Sequence, residues 1–289
     1  MKKSVQNYLI LILLAIIWGS SFILMKKGLE IYTYSQVAAL RLFIAFISLL
    51  PFIIRALKRV AKKHWTAIIV AAFLGNGIPA FLFTKAQTHL ASSYVGILNS
   101  LTPLFTLLLG IYFFKSRPSR SNVFGIFIGF SGAFLLSISN LEGVFSINIF
   151  SLLVILATLF YAISMNVIRR YLADLDATSI SALAFLFIGP ISGIYVFNTD
   201  FVALLTVDGG IKALIYIVIL AIVGTSMAVV IFNKLIKDSS AIFASSVTYL
   251  IPIVAIFWGV VDGENIFLSH LVGATIILCG VYLVNKEKY

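Results

Sequence analysis

Acidic residues are scarce in this chain, and none of the ten stands inside an apolar run. Glu30, Glu142, Asp174, Asp176, Asp200, Asp208, Asp238, Asp262, Glu264 and Glu287 all fall between runs or at their ends. His64, His89 and His270, the three histidines, are placed the same way. A proton relay across a membrane sets Asp, Glu or His at depth despite the desolvation this costs. The pattern therefore favours a facilitator or exchanger over a dedicated proton antiporter, with Glu264 or a histidine as the remaining place for a proton. Cysteine is rarer still: Cys279 is alone, which excludes an intramolecular disulfide and any CxxC metal or redox site. No metal-ligand spacing and no Ser/His/Asp order occurs, so the sequence predicts no enzyme, no resident metal and no cofactor.

Charge of either sign is also sparse. Charged residues make up 11% of the 289 residues against 61% hydrophobic, with a mean hydropathy of +1.11. Soluble proteins carry roughly a quarter charged residues, so this composition cannot cover a water-facing surface and belongs in a lipid bilayer. The net charge of +11 lies in short clusters between apolar runs. That is the pattern of loops facing an anionic cytoplasmic leaflet, not of a nucleic-acid partner. The first run follows Lys2 and Lys3 without a clear small-x-small cleavage site and is long enough to span. It reads as a retained transmembrane helix.

About 20 apolar residues cross a hydrocarbon core of roughly 30 Å. By that rule there are ten spans, at 7–26, 36–56, 66–86, 93–114, 121–139, 147–168, 178–197, 212–233, 240–261 and 266–284. With the N-terminus inside, the alternate cytoplasmic segments hold sixteen Lys and Arg and the outer loops four (Lys26, Lys27, Lys85, Lys212); Arg41 lies within the second span. Such a bias in short loops orients the chain. The expectation is a multi-pass protein of the plasma (inner) membrane with both termini cytoplasmic.

Two runs resemble one another. SSYVGILNSLTPLFTLLLG carries Pro103 mid-way, SAIFASSVTYLIPIVAIFWG carries Pro252, and the prolines are 149 residues apart. At the same offset Gly75 matches Gly224, Phe83 matches Phe232 and Lys85 matches Lys234; Gly125 and Gly132 match Gly273 and Gly280 at 148. Five spans per half is an odd number, so the second half stands upside down relative to the first. The fold class is an all-α membrane protein of ten transmembrane helices in two five-helix inverted-topology repeats, 1–140 and 147–285. Secondary transporters recur to this design, with substrate near the midplane between repeats.

One further set of residues stands out: Trp18-Gly19-Ser20-Ser21-Phe22 with Lys27 after it, Arg41, Ala91-Ser92-Ser93, and Gly125 with Gly132. In the second half they are Ser245-Ser246 to Pro252, Glu264, Gly273 and Gly280. On these residues the chain resembles the EamA branch of the drug/metabolite transporter superfamily over nearly its whole length. The resemblance implies a ten-helix permease that moves amino acids or related small metabolites, outward. One departure stands out: the family often has a glutamate after its fourth helix, at the equivalent of Glu264, and here that residue is Lys115.

Neutral polar and aromatic groups near the repeated prolines are the candidate substrate cavity: Trp18, Ser21, Asn76, Asn99, Thr102, Pro103, Tyr161, Ser164, Thr225, Ser245, Thr248, Tyr249 and Pro252. Each also suits interhelical packing, worth roughly 0.6 kcal/mol per bond in a membrane. A proline frees a carbonyl, and this is tolerated where neighbours or a cavity satisfy it. Arg41 joins the set with two readings open, a side chain snorkelling to the interface or a group that reads a substrate carboxylate or phosphate or clamps a gate. Such a lining suits small zwitterions or apolar organic molecules rather than polyanions. Lys85 and Lys234 read as interfacial anchors, and the glycines as packing sites that leave a homodimer open. The expected function is a secondary transporter of a small-molecule substrate by alternating access; a non-transporting scaffold or sensor, or a lipid flippase, is the alternative.

Overall fold

The computed structural model describes residues 2–90, 92–139, 149–261 and 268–285, and within them every regular element is helical. Helix α1 (Lys2–Leu29) turns sharply into α2 (Tyr34–Leu57). Thr33 begins α2 with a capping box: its hydroxyl accepts from the Gln36 N–H, and the Gln36 side chain accepts from the Thr33 N–H at 2.9 Å. Next, α3 (Trp65–Ala72) and α4 (Ile78–Gln87) form one rod interrupted by a π-helical turn, Phe73–Gly77. Then come α5 (Ser92–Asn99), α6 (Thr102–Phe114) and α7 (Arg120–Ser139).

The rest of the chain repeats this order. α8 (Ile149–Tyr171) leads to α9 (Ala177–Phe197), whose N-terminus is capped by Asp176. After the single turn α10 (Phe201–Leu204), α11 (Gly210–Ala221) runs through a second π-helical turn, Ile222–Met227, into α12 (Ala228–Asp238). α13 (Ala241–Ser245), α14 (Val247–Val261) and α15 (Leu268–Asn285) follow. Both π-helical turns begin 149 residues apart, the spacing of the two prolines. A π turn adds one residue to the helix and rotates everything beyond it.

Among the described residues, six helical segments are long and apolar enough to cross a bilayer: Val5–Leu29, Tyr34–Leu57, Lys62–Gln87, Ile149–Tyr171, Ala177–Phe197 and Gly210–Asp238. They coincide with the first, second, third, sixth, seventh and eighth expected runs. The fourth and ninth runs are each divided into two helices. Ala91, Glu142, Asp262, Glu264 and Glu287 lie outside the described residues.

Pro103 stands at the first division, between α5 and α6, whereas the second falls at Ser246, ahead of Pro252. Proline has no N–H to offer the carbonyl four residues back. For Pro103 that carbonyl belongs to Asn99, and the Thr102 hydroxyl donates to it at 2.8 Å. For Pro252 it belongs to Thr248, and it accepts the Ser100 hydroxyl from the other divided helix at 3.3 Å. The two breaks are not superimposable. Pro103 sits in the first turn of α6, where a missing N–H is harmless, whereas Pro252 lies within α14. α6 ends at Lys115, the one non-glycine residue at positive φ (53°) among those described.

Equivalent helices pair across the halves, and they pair antiparallel. At one end of α2 and α9, Arg59 meets Asp176 at 2.8 Å; at the other, the Tyr195 hydroxyl donates to Ser35 Oγ at 2.8 Å. The start of α7 likewise meets the end of α15, with Ser121 Oγ donating to the Leu283 carbonyl at 2.6 Å. Along that seam Gly125 and Gly132 face Gly280 and Gly273 so closely that an added Cβ would meet backbone atoms. Small residues let membrane helices approach this way. The remaining inter-half contacts also exchange partners: α1 packs on α14, α11 and α12, while α8 packs on α6, α3 and α4.

Candidate functional site

A cavity of about 110 Å³ lies between the halves. Three helices present it with the same stripe, residues i, i+3, i+4 and i+7 of one helical face. On α1 these are Trp18, Ser21, Phe22 and Met25; on α8, Tyr161, Ser164, Met165 and Ile168; on α12, Val229, Phe232, Asn233 and Ile236. Gly75, Asn76, Ala80, Phe83 and Thr225 come from the π turns and α4, Arg41 and Leu42 from α2, and Asn99, Thr248 and Ile251 from the divided helices.

Opposite walls are built alike. The Trp18 ring meets Phe232 edge-on at 4.8 Å, and the Tyr161 ring stacks on Phe83 at 5.6 Å. Ser21 lies against Gly224, and Ser164 against Gly75, each glycine giving the serine room that a side chain would fill. In the π turns the Asn76 side chain donates to the Ala71 carbonyl at 3.0 Å and the Thr225 hydroxyl to the Leu220 carbonyl at 3.0 Å. Both bonds reach five residues back, so the side chains satisfy carbonyls that the changed helical register leaves. The Trp18 indole N–H donates to the Gly224 carbonyl at 3.1 Å.

Arg41 breaks the symmetry: α1 and α8 match at an offset of 143 (Trp18 with Tyr161), as do the caps Thr33 and Asp176, and the residue 143 positions on from Arg41 is Ala184. Its guanidinium does not snorkel to the interface. It points into the cavity, where Nε donates to Thr225 Oγ1 at 2.6 Å. Among the described residues no carboxylate pairs with it, and no Asp, Glu, His or second cation lines the cavity.

Nine of the fourteen residues expected from sequence line this space: Trp18, Ser21, Arg41, Asn76, Asn99, Tyr161, Ser164, Thr225 and Thr248. Thr102, Pro103, Ser245, Tyr249 and Pro252 do not. Thr102 and Ser245 turn their hydroxyls back on the carbonyls of Asn99 and Ile242, and Tyr249 donates to the Ile126 carbonyl at 2.9 Å with its ring against Gly129. The prolines themselves are buried in packing, yet Asn99 and Thr248, whose carbonyls they free, both face the cavity. The apolar members of the α1 and α8 stripes were legible only by extending the spacing from Trp18 and Tyr161; the α12 stripe, with Asn233, was not. Lys85 rests 4.4 Å over the Tyr34 ring and Lys234 is exposed; neither lines the cavity.

The two halves are tied at both ends of the α2/α9 pair. At one end Asp174 receives Lys63 at 2.7 Å and His64 at 3.0 Å. His64 Nδ1 accepts from the Ala61 N–H, which leaves Nε2 to carry the proton toward Asp174. Hydrogen bonds from Lys63 and then His64 hold the Asp174 carboxyl below the usual carboxylate range. Burial raises Asp176, but the Ser179 hydroxyl and N–H together with Arg59 outweigh it and lower its pKa. The opposite end is tied without ion pairs: Gln36 donates to Asp200 at 2.8 Å and the Tyr32 hydroxyl to the Gly210 carbonyl at 3.1 Å.

Residues 6–138 and again 148–286 match the model of the EamA-like transporter family. An "Uncharacterized transporter" of Archaeoglobus fulgidus is 22% identical over 98% of this chain and 100% of its own length. A "Probable amino-acid metabolite efflux pump" of Salmonella typhimurium is 22% identical over 94% of this chain and 92% of its own. The "Uncharacterized inner membrane transporter YedA" of Escherichia coli K12 is 25% identical over 96% and 89%. A solved crystal structure superposes with a TM-score of 0.76 over 98% of this chain and 99% of its own, at 16% identity, which is a likeness of fold.

Proposed function

The chain belongs to the EamA-like transporter family, and from that premise we propose that it is a ten-span secondary carrier of small organic metabolites, amino acids among them. Residues 1–140 and 147–285 are its two repeats, standing in the membrane in opposite orientations with both termini cytoplasmic, and they rock about the cavity to expose it to one side and then the other. The observation that carries this reading is the mirrored lining: Trp18 on Phe232 and Tyr161 on Phe83, Ser21 on Gly224 and Ser164 on Gly75. Two equivalent half-sites around one space let a carrier present a like lining to either face. The antiparallel pairing of α2 with α9 and of α7 with α15 supports the inverted arrangement.

The size and chemistry of the space support the substrate class. About 110 Å³ is well under the roughly 300–1,000 Å³ of pockets for drug-sized ligands, which favours compact molecules. The name borne by the Salmonella relative points to the same class. With no Asp, Glu or His among the described lining residues, movement down the substrate's own gradient, or exchange, fits better than obligatory proton coupling.

Flux of a labelled amino-acid mixture into proteoliposomes, with and without an imposed pH gradient, tests the proposal. Saturable uptake without the gradient is expected. Uptake strictly dependent on it would move the coupling to a proton, and no uptake in either condition would contradict the proposed substrates.

A further inference from the structure

We propose that the free edge of the Arg41 guanidinium is a carboxylate site, so that the substrate is a compact monocarboxylate oriented by its acid group. The inference rests on reading the cavity as the transport path. Arginine keeps its charge at any ordinary pH and presents five N–H donors in a rigid fork. Only Nε is engaged, by Thr225. The Thr225 hydroxyl in turn spends its own proton on the Leu220 carbonyl at 3.0 Å, so its lone pair is what faces Arg41. This relay fixes the plane of the guanidinium and leaves both terminal nitrogens without a protein partner among the described residues. A cation held in an apolar cavity and matched by no anion is costly, and a ligand carboxylate removes that cost through two parallel hydrogen bonds.

The single cation also sets the valence. Phosphate carries nearly two negative charges near neutral pH, and one guanidinium would leave the excess buried among Trp18, Phe83 and Tyr161. A carboxylate is matched one to one. Because the counterpart of Arg41 on α9 is Ala184, the second half offers no equivalent cation, and the substrate enters with one polarity.

The test is thermal stabilisation of the purified protein in detergent by propionate and L-alanine against propionamide and L-alaninamide, with chloride and inorganic phosphate as separate arms. The acids are expected to raise the melting temperature at concentrations roughly 10–100-fold lower than their amides, with no comparable effect of chloride or phosphate. Arg41→Gln should abolish the difference between acid and amide, and Arg41→Lys should keep only a weakened one because the fork is lost. Equal stabilisation by acid and amide overturns the inference, as does an equal response to phosphate or chloride, an unchanged preference in Arg41→Gln, or no stabilisation at all. The wild-type comparison needs no variant, so a misfolded substitution does not blunt it. Amino-acid flux without acid preference would remove this inference and leave the transport reading standing; acid preference without amino-acid flux would leave the carboxylate site standing and contradict amino acids as the transported substrates.

Discussion

Gly224 shows how narrowly the cavity walls are built. A Cβ at Gly224 would stand 2.6 Å from Ser21 Oγ but 3.7 Å from Ser21 Cβ, so within Ser21 only the hydroxyl obstructs it; Leu220 Cδ1 at 3.2 Å, the far end of a flexible side chain, has to give by a few tenths of an ångström. Gly224→Ala is therefore expected to destabilise the protein by about 1–3 kcal/mol, the usual range for overpacking. Adding Ser21→Ala should restore most of the loss. At Gly75 the same pair of changes should rescue less, because Ser164 Cβ would still stand 3.1 Å away. Melting temperatures of the four variants measure this directly, and equal rescue at both sites would contradict the geometry. The sequence marked Gly75 and Gly224 as equivalents by spacing, but not that each makes way for a serine of the other half. It marked Arg41 as the deepest cation and left its direction open, since snorkelling and a cavity-facing pose place the Cα alike. What decides is Thr225 on another helix, brought within reach by a π turn.

At the scale of elements, Pro103 and Pro252 marked the fourth and ninth runs as irregular, but the break at Ser246 and the repair of the freed carbonyls were not legible. The freed carbonyls are satisfied locally in one case, by Thr102, and across to the partner helix in the other, by Ser100. Thr102→Val should thus destabilise by roughly 0.6 kcal/mol, the typical worth of such a bond in a membrane, and up to about 1–3 kcal/mol if the carbonyl stays dry. In a Pro103→Ala background the backbone N–H returns to the Asn99 carbonyl, and Thr102→Val should become nearly neutral. A double-mutant cycle on unfolding checks this; additive losses would show that Thr102 acts elsewhere. The π turns left no signature in apolar periodicity, and they explain the one polar lining residue that sequence reasoning missed. Asn233 looks like the end of a span in a plain α-helix count. The extra residue within Ile222–Met227 fixes which face of α12 turns inward, and Asn233 lies on it beside Phe232.

For the molecule as a whole, the composition carried the membrane class, because it depends only on residue identity along the chain, and the 149-residue echo is what underlies the proposed two repeats. Which side chains meet across the halves depends on antiparallel packing of α2 on α9 and α7 on α15, and no local pattern encodes that. The ties at the two ends of α2 and α9 differ in kind, ion pairs to Asp174 and Asp176 at one end and neutral donors at the other, so the two faces of a rocking carrier would not open with equal ease. A rocking carrier exposes its single cavity to both faces in turn. Modification of a single cysteine at Met165, a cavity residue on α8, in a Cys279→Ala background, by a membrane-impermeant thiol reagent added to either side of sealed vesicles tests this. Labelling from both sides, slowed on both by L-alanine, is expected. Labelling from one side only, whatever the added solute, would contradict it.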